Sequence, residues 1–232
     1  MQIESKNLFL SALSAEELKK ISPHLETVKL EYRQVLHRSG ERYDYVYFPE
    51  DSIVSIVNTF EDGSSIEAGM IGKEGIVGIS VILSDGVSPR QTTVQQSGAA
   101  LRIKTEAFKA TFNESSELRA LALKYVYAFY SQVSQNTACN RYHSLDGRLA
   151  KWLLMCHDRS ETGELMLTQD FMAQMLGVHR PGVTLAAMAL QEKELINYVR
   201  GNIKITDKAG LEALTCDCYR IIRASEQQYL RM

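Results

Sequence analysis

Residues Leu167–Gln191 read "LTQDFMAQMLGVHRPGVTLAAMALQ". Thr168 stands where an N-cap belongs, with Gln169 and Asp170 after it. Phe171, Met172, Met175 and Leu176 then recur at helical spacing, which gives a short first helix one buried side. Gly177 permits a sharp turn, and Val178 plugs the gap behind it. Val183, Ala186 or Ala187, and Leu190 form the buried stripe of a second helix. Pro181 and Gly182 sit at the front of that helix, where both residue types are unusual. In a first turn proline loses nothing, because its missing N–H would have no partner there. Gly182 costs about 1 kcal/mol against alanine, and its small size lets the helix end approach a partner closely. A short helix, a glycine turn and a second helix with a free outer face make helix–turn–helix spacing. That pattern alone is weakly specific. The next segment, "NYVRGNIKI", reads as a β-ribbon turning at Arg200-Gly201-Asn202, and the combination is a winged helix–turn–helix.

The residue types on the outer face fit DNA. A helix N-terminus carries partial positive charge and free N–H groups, which suit phosphate oxygens. Arg180 is the long base-reader here, since arginine pairs with guanine through two hydrogen bonds. Pro181, Thr184 and Leu185 can contact thymine methyl groups. Lys193, Arg200 and Lys204 are candidates for the phosphate backbone. Thr168, Gln169 and His179 complete the candidate DNA surface. The alternative for each charged residue is a solvated surface side chain.

Upstream, "SLDGRLAKWLLMCHDRS" reads as a separate helix after a break near His143–Asp146. Residues 113–142 hold neither proline nor glycine. In that span Leu118, Leu121, Ala122, Tyr125, Phe129, Val133 and Asn136 recur at three- and four-residue steps, as one long striped helix. Two fates for the stripe stay open: packing on the chain's own β domain, or pairing with the same helix of a second subunit. Before it, "ETVKLEY", "QVLHR", "YVYFPE", "SIVSIVNTF", "SIEAGMIG", "GIVGISVIL", "TTVQQSG" and "ALRIKTEAF" read as short strands between turn signals, an antiparallel sandwich or barrel. "FEDGSSI" reads as a hairpin with a primed turn at Asp62-Gly63. Ser14 caps a short helix in "SAEELKK". Downstream, "TDKAGLEALTCDCYRIIRASEQQYL" reads as a helical tail capped by Thr206.

The totals narrow the function. The net charge is -2, so any basic patch has to be local. The N-terminal residues lack the basic-then-apolar pattern of a signal peptide, and no apolar run nears the roughly 20 residues of a membrane span. Four cysteines are scattered: Cys139, Cys156, Cys216 and Cys218. The C-x-C of the last pair is by itself neither a zinc site nor a disulfide framework, so no metal site is expected. The two read more simply as inert helix residues than as a redox pair. A cytoplasmic chain without membrane contact is expected. No nucleophile–base motif or phosphate-cradling loop points to an enzyme, and Cys156 with His143 and His157 makes no recognisable catalytic set.

Along nearly its whole length the chain resembles the Crp/Fnr family of bacterial transcription regulators. The matching stretches are "YVYFPEDSIVSIV", "DGSSIEAGMIGKEGIVG", "SLDGRLAKWLL", "LTQDFMAQMLGVHRPGVTLAAMAL" and "LINYVRGNIKITD". The resemblance implies an α+β chain with an N-terminal antiparallel, jelly-roll-like β-roll of the cyclic-nucleotide-binding type over 1–113. A long central dimerisation helix and hinge would follow over 114–142, and a winged helix–turn–helix over 143–232. It also implies a homodimer on an inverted-repeat operator, with the striped residues of the long helix at the dimer contact. RNA polymerase is a further candidate partner.

The departures concern the effector. Cyclic-AMP-binding members hold the nucleotide with a Gly-Glu-Leu stretch and an Arg-Ser or Arg-Thr pair. Here the matching positions are Gly75, Ile76, Val77 and Gly78, then Arg90, Gln91 and Thr92. Val133 and Ser134 stand where a Thr-Ser pair would touch the base. Isoleucine cannot accept a ribose hydroxyl hydrogen bond, so cyclic AMP is not the expected effector, and no other effector or cofactor is identified. Arg90 either serves a structural ion pair or holds another anion. The N-terminal cysteine cluster of the iron–sulfur members is missing. His24 and His37 read as ordinary surface or core residues rather than haem ligands. Pro181 and Leu185 replace the Glu and second Arg common on the family's recognition helix, so a different target sequence is expected. The competing function is a ligand-binding or protein-interaction module whose helix–turn–helix has drifted from DNA.

Overall fold

The computed structural model describes residues 5–231. Two short helices, α1 (Leu8–Ser11) and α2 (Ala15–Ile21), lead into β1 (Glu26–Leu30), β2 (Val35–His37), β3 (Tyr45–Pro49), β4 (Ile53–Thr59), β5 (Ser65–Ile71), β6 (Gln91–Gln96) and β7 (Gly98–Lys104). The strands form two sheets, ordered β1-β7-β3 and β2-β6-β4-β5. Both partners of β7 run antiparallel to it, with Thr27 and Phe48 each opposite Leu101. Helices α3 (Thr105–Glu114), α4 (Ser116–Tyr142) and α5 (Leu145–Arg159) follow. Then come β8 (Glu164–Met166), α6 (Gln169–Leu176), α7 (Arg180–Glu192), β9 (Ile196–Val199), β10 (Asn202–Ile205), α8 (Lys208–Leu214) and α9 (Asp217–Leu230). This is the α+β class, with an N-terminal antiparallel roll, a 27-residue helix and a C-terminal winged helix–turn–helix.

By contacts the chain forms two compact units. One runs to Ile56 and includes Met70–Ser131 and the chain from Ser225; the other comprises Val57–Gly69 and Gln132–Ala224. The first unit is built on Phe9, Phe48, Ile76, Ile103, Phe108, Leu118, Leu121 and Tyr125, all buried in one cluster. Apolar residues of this size stabilise by roughly 1.5–3 kcal/mol each when fully buried. Asn7 caps α1 and also donates to the carbonyls of Pro49 and Gly75, which closes the roll at its start.

In the second unit α5 is the central element. Its Trp152 packs at a tilt against Phe171 and donates its indole N–H to Glu67 Oε1 at 3.1 Å. Asp158, on the same helix, accepts from Lys208 Nζ at 2.7 Å and from the Tyr219 hydroxyl at 2.6 Å, which ties α8 and α9 to α5.

Several local expectations are corrected. "GIVGISVIL" forms no strand: Gly78 takes a left-handed φ of 92°, and a 3₁₀ turn follows over Ile79–Ile82. Only Val77 bridges to Tyr47. "ALRIKTEAF" is strand only to Lys104, where α3 begins. At the β4–β5 hairpin only Gly63, at φ 81°, is left-handed, so the loop is not a primed turn. Phe60 instead accepts from Gly63 N, and its own N–H reaches Ser64 O. The tail is two helices broken at Thr215-Cys216, and Asp207 rather than Thr206 caps the first, accepting from Gly210 N.

Of the two fates open to the stripe, its residues over 118–129 take the first and pack on the chain's own β domain. Leu118, Leu121, Ala122 and Tyr125 are at most 3% exposed within the roll cluster, and Phe129 packs against it. Asn136 donates to the Ala68 carbonyl and accepts from Lys151. Over residues 118–129 the apolar face of α4 is covered by the roll. The exposed face carries Ala120, Leu123, Tyr127, Tyr130, Ser134 and Thr137 at alternating three- and four-residue steps.

Candidate nucleic-acid interface and effector cassette

The helix–turn–helix forms from local signals. The Thr168 hydroxyl accepts from Phe171 N at 3.2 Å and starts α6. Gly177 ends it in the left-handed region, φ 62° and ψ 43°. A Cβ at Gly177 would fall 2.7 Å from Ile66 Cδ1, so the turn needs glycine twice over, for its φ and for space. His179 caps α7 through its backbone, without a side-chain bond, and Pro181 lies in the first turn. Gly182 has a reason other than a close external partner: a Cβ there would lie 3.1 Å from Leu145 Cδ2 of α5. Val183, Ala186, Ala187 and Leu190 face inward, as their spacing requires.

Outward, Arg180, Pro181, Leu185, Lys193, Arg200 and Lys204 are all exposed, as are Thr168 and His179. Arg180 pairs with Asp170 at 3.5 Å, but both side chains are more than 60% exposed. The pair is therefore weak and easily exchanged for another partner. Thr184 is committed internally. Its hydroxyl reaches Gln169 Oε1 at 2.9 Å and Arg180 O at 3.1 Å, which fixes α6 against α7. Gln169 and Thr184 therefore hold the motif together and offer only their remaining surface. The wing is the β9–β10 hairpin, with β8 on the far side of β10. Arg200 and Gly201 sit at its tip with φ of 50° and 84°, so the arginine projects from the turn. The outer part of the β4–β5 hairpin lies beside the turn, where Phe60, Ile66, Gly177, Val178 and His179 line a groove of about 450 Å³.

The residues expected at the effector positions lie in different surroundings. Ile76 is 0% exposed and lies in the roll cluster. The Tyr125 hydroxyl donates to Ile76 O at 3.0 Å, and its ring lies where a Cβ at Gly75 would fall. Val77 exchanges two backbone hydrogen bonds with Tyr47, at 2.8 and 2.9 Å. Gly78 approaches the Tyr45 carbonyl. Arg90 is exposed, with its backbone tied to Ser88. Gln91 donates to Thr93, and Thr92 is buried in β6. Val133 is half-buried and Ser134 exposed on α4.

Of the candidate haem ligands, His24 is exposed, while His37 is 5% exposed and its Nε2 lies 3.0 Å from the Tyr45 carbonyl. Burial pushes the His37 imidazole down to about 4, so it is a neutral core residue at pH 7. One grouping escaped sequence reasoning. Cys139, His143, Cys216 and Cys218 converge in the second unit. The i, i+4 step from Cys139 to His143 was the available signal, but the fold alone brings the C-x-C to it.

Comparison with known proteins places both regions. Residues 27–115 match the cyclic nucleotide-binding domain model, and residues 147–214 match the Crp-like helix-turn-helix domain model. Among solved structures, a crp/fnr-family protein from Eubacterium rectale is 21% identical, with 88% of this chain and 95% of that one covered, at a TM-score of 0.69. FixK2 from Bradyrhizobium japonicum is 14% identical, with 83% and 98% covered, at 0.70. A CRP-family transcriptional regulator from Thermus thermophilus is 16% identical, with 81% and 95% covered, at 0.67. At these identities the likeness carries the fold. A search of curated proteins finds no match. No helix among the described residues is long and apolar enough to cross a membrane.

Proposed function

Because the chain belongs to the Crp/Fnr family of transcription regulators, we propose that it is a homodimer that reads an inverted-repeat DNA site through α7 without needing cyclic AMP. The observation that carries this is the division of α7. Its inner side is apolar and closed, while Arg180, Pro181 and Leu185 are exposed at the front, Arg180 only in a weak pair with Asp170. That front end presents helix N–H groups and an arginine to a groove, with Lys193, Arg200 and Lys204 in reach of the flanking phosphates.

The dimer forms through the face of α4 that the roll leaves uncovered. Leu123, Tyr127 and Tyr130 are 52%, 68% and 67% exposed, and their spacing is that of a two-helix seam. Ser134 and Thr137 continue the seam with small side chains. Cyclic AMP has no ribose acceptor at Ile76, and a carboxylate placed there would be buried among apolar groups. The protein acts in the cytoplasm, on DNA rather than as an enzyme.

Sedimentation of the full chain, with and without Tyr127→Glu combined with Leu123→Glu, tests the assembly. A dimer that the double variant turns into a folded monomer supports it. A monomeric wild type, or a variant that stays dimeric, contradicts it. Duplex affinity that falls steeply with salt supports the phosphate contacts.

A further inference from the structure

We propose that Cys139, His143, Cys216 and Cys218 form a tetrahedral metal site of the Cys3His type, suited to zinc or a similar soft divalent ion. Their ligand atoms all lie within 4.8 Å of one another. The Cys139 and Cys216 sulfurs are 3.5 Å apart, and Cys218 Sγ is 3.4 Å from His143 Nδ1. Zinc–sulfur bonds of about 2.3 Å in tetrahedral geometry put two sulfurs about 3.8 Å apart. The four groups thus need to shift by about an ångström at most to take an ion at their centre.

The backbone explains the convergence. Cys139 and His143 are one helical turn apart at the end of α4, on one face. Cys216 and Cys218 flank the start of α9, where the tail breaks after α8. Cys216 lies in the break before α9 and Cys218 in the first turn of α9.

The surroundings fit an anionic centre. Three thiolates and a divalent ion carry a net charge of −1. Two cations on α5, Arg148 and Lys151, are 9% and 5% exposed, and both act electrostatically with Cys139. Their hydrogen-bond partners are uncharged: Arg148 donates to the Leu176 carbonyl and Lys151 to Asn136 Oδ1. Arg148 Nε is buried without a hydrogen-bond partner. Buried cations of this kind call for a nearby negative group, and the loaded site supplies one. Gln135 donates its amide to the Cys218 sulfur at 3.2 Å, the supporting hydrogen bond that thiolate ligands commonly receive. Thiolates and imidazole together select zinc over hard cations. Loading releases the three thiol protons to solvent, so affinity falls as pH falls. The ion would fasten the end of α4 to the α8–α9 junction, which gives the connecting segment at His143–Ser144 a fixed anchor.

The test is metal analysis of the full chain, purified without a metal-affinity step, followed by cobalt(II) titration of chelator-treated protein. Cys139 and Cys218 are buried, so the variants are His143→Ala and Cys216→Ser, at an exposed and a half-buried position. Cys156→Ser, the cysteine outside the set, is the control. The expected results are one zinc per chain, strong visible cobalt bands of a four-coordinate thiolate site, and affinity at least about 10-fold weaker in both variants. The Cys156 variant keeps the wild-type spectrum. Protein without bound zinc, with only the pale spectrum of six-coordinate cobalt, would overturn the proposal. So would variants that bind like the wild type, or a Cys139–Cys216 disulfide in protein handled under reductant.

Discussion

The effector cassette and the recognition helix make opposite use of the same physical resource, the free polar group. In the cassette, Ile76 is sealed in the roll, the Tyr125 hydroxyl is bonded to its carbonyl, and Val77 is paired with Tyr47. At the helix–turn–helix, Thr184 and Gln169 satisfy each other so that α7 is held rigidly, while Arg180 and Arg200 remain in water. Around Ile76 the polar groups are bonded within the chain. The helix–turn–helix fixes its frame internally and leaves Arg180 only in a weak, exposed pair with Asp170. The contrast is between polar groups spent inside the fold and charged groups left at its surface.

Four substitutions or conditions test that contrast. The largest effect is expected from Ile76→Glu, which puts a carboxylate where the resemblance to cyclic-AMP-binding members would place one. A charge forced among Phe48, Ile103 and Tyr125 costs about 4 kcal/mol or more, read by urea unfolding, and gains no affinity for cyclic AMP by calorimetry. A folded variant that bound the nucleotide would show the cassette to be closed by one side chain alone.

Next comes acidification. His37 has a folded pKa of about 4 against an ordinary 6.5, so the unfolded chain takes up the proton first as pH falls. Its contribution is fully present above pH 6.5 and is lost toward pH 4, about 3 kcal/mol in all. His37→Gln should flatten that part of the stability profile in unfolding experiments between about pH 7 and 4.5. An unchanged slope would assign the acid sensitivity elsewhere.

Third, Arg180→Ala should reduce discrimination between a selected duplex and a scrambled one by about 1–3 kcal/mol. Its unfolding midpoint should not move, because the side chain is exposed. The smallest effect is that of Thr184→Val, about 1 kcal/mol of stability from the lost Gln169 bond, with weaker DNA binding as α7 loosens against α6. Equal loss of stability in Arg180→Ala and Thr184→Val would erase the distinction between frame and reading end.

The C-terminal fold was legible because its signals are local. Thr168, Gly177 and the Val183–Leu190 stripe each act within a turn or two of chain. The strand rhythm of the roll was legible for the same reason, except where a single backbone angle decided the matter. Gly78 at φ 92° turned an apolar run into a 3₁₀ turn. The stripe on α4 showed that a helix has an apolar face but not what covers it, and the roll covers most of it. The Cys3His grouping was hidden for a different reason. Cys139 and Cys216 meet only because α5, α8 and the tail break fold them together, and no local spacing encodes that meeting.

The most direct measurement is selection of randomised duplex DNA by the purified chain, without ligand and then with cyclic AMP. An inverted repeat enriched equally in both conditions, and lost in Arg180→Ala, is the expected result. A repeat recovered only when cyclic AMP is present, or no enriched sequence in either condition, would contradict a DNA-reading dimer with a closed cassette.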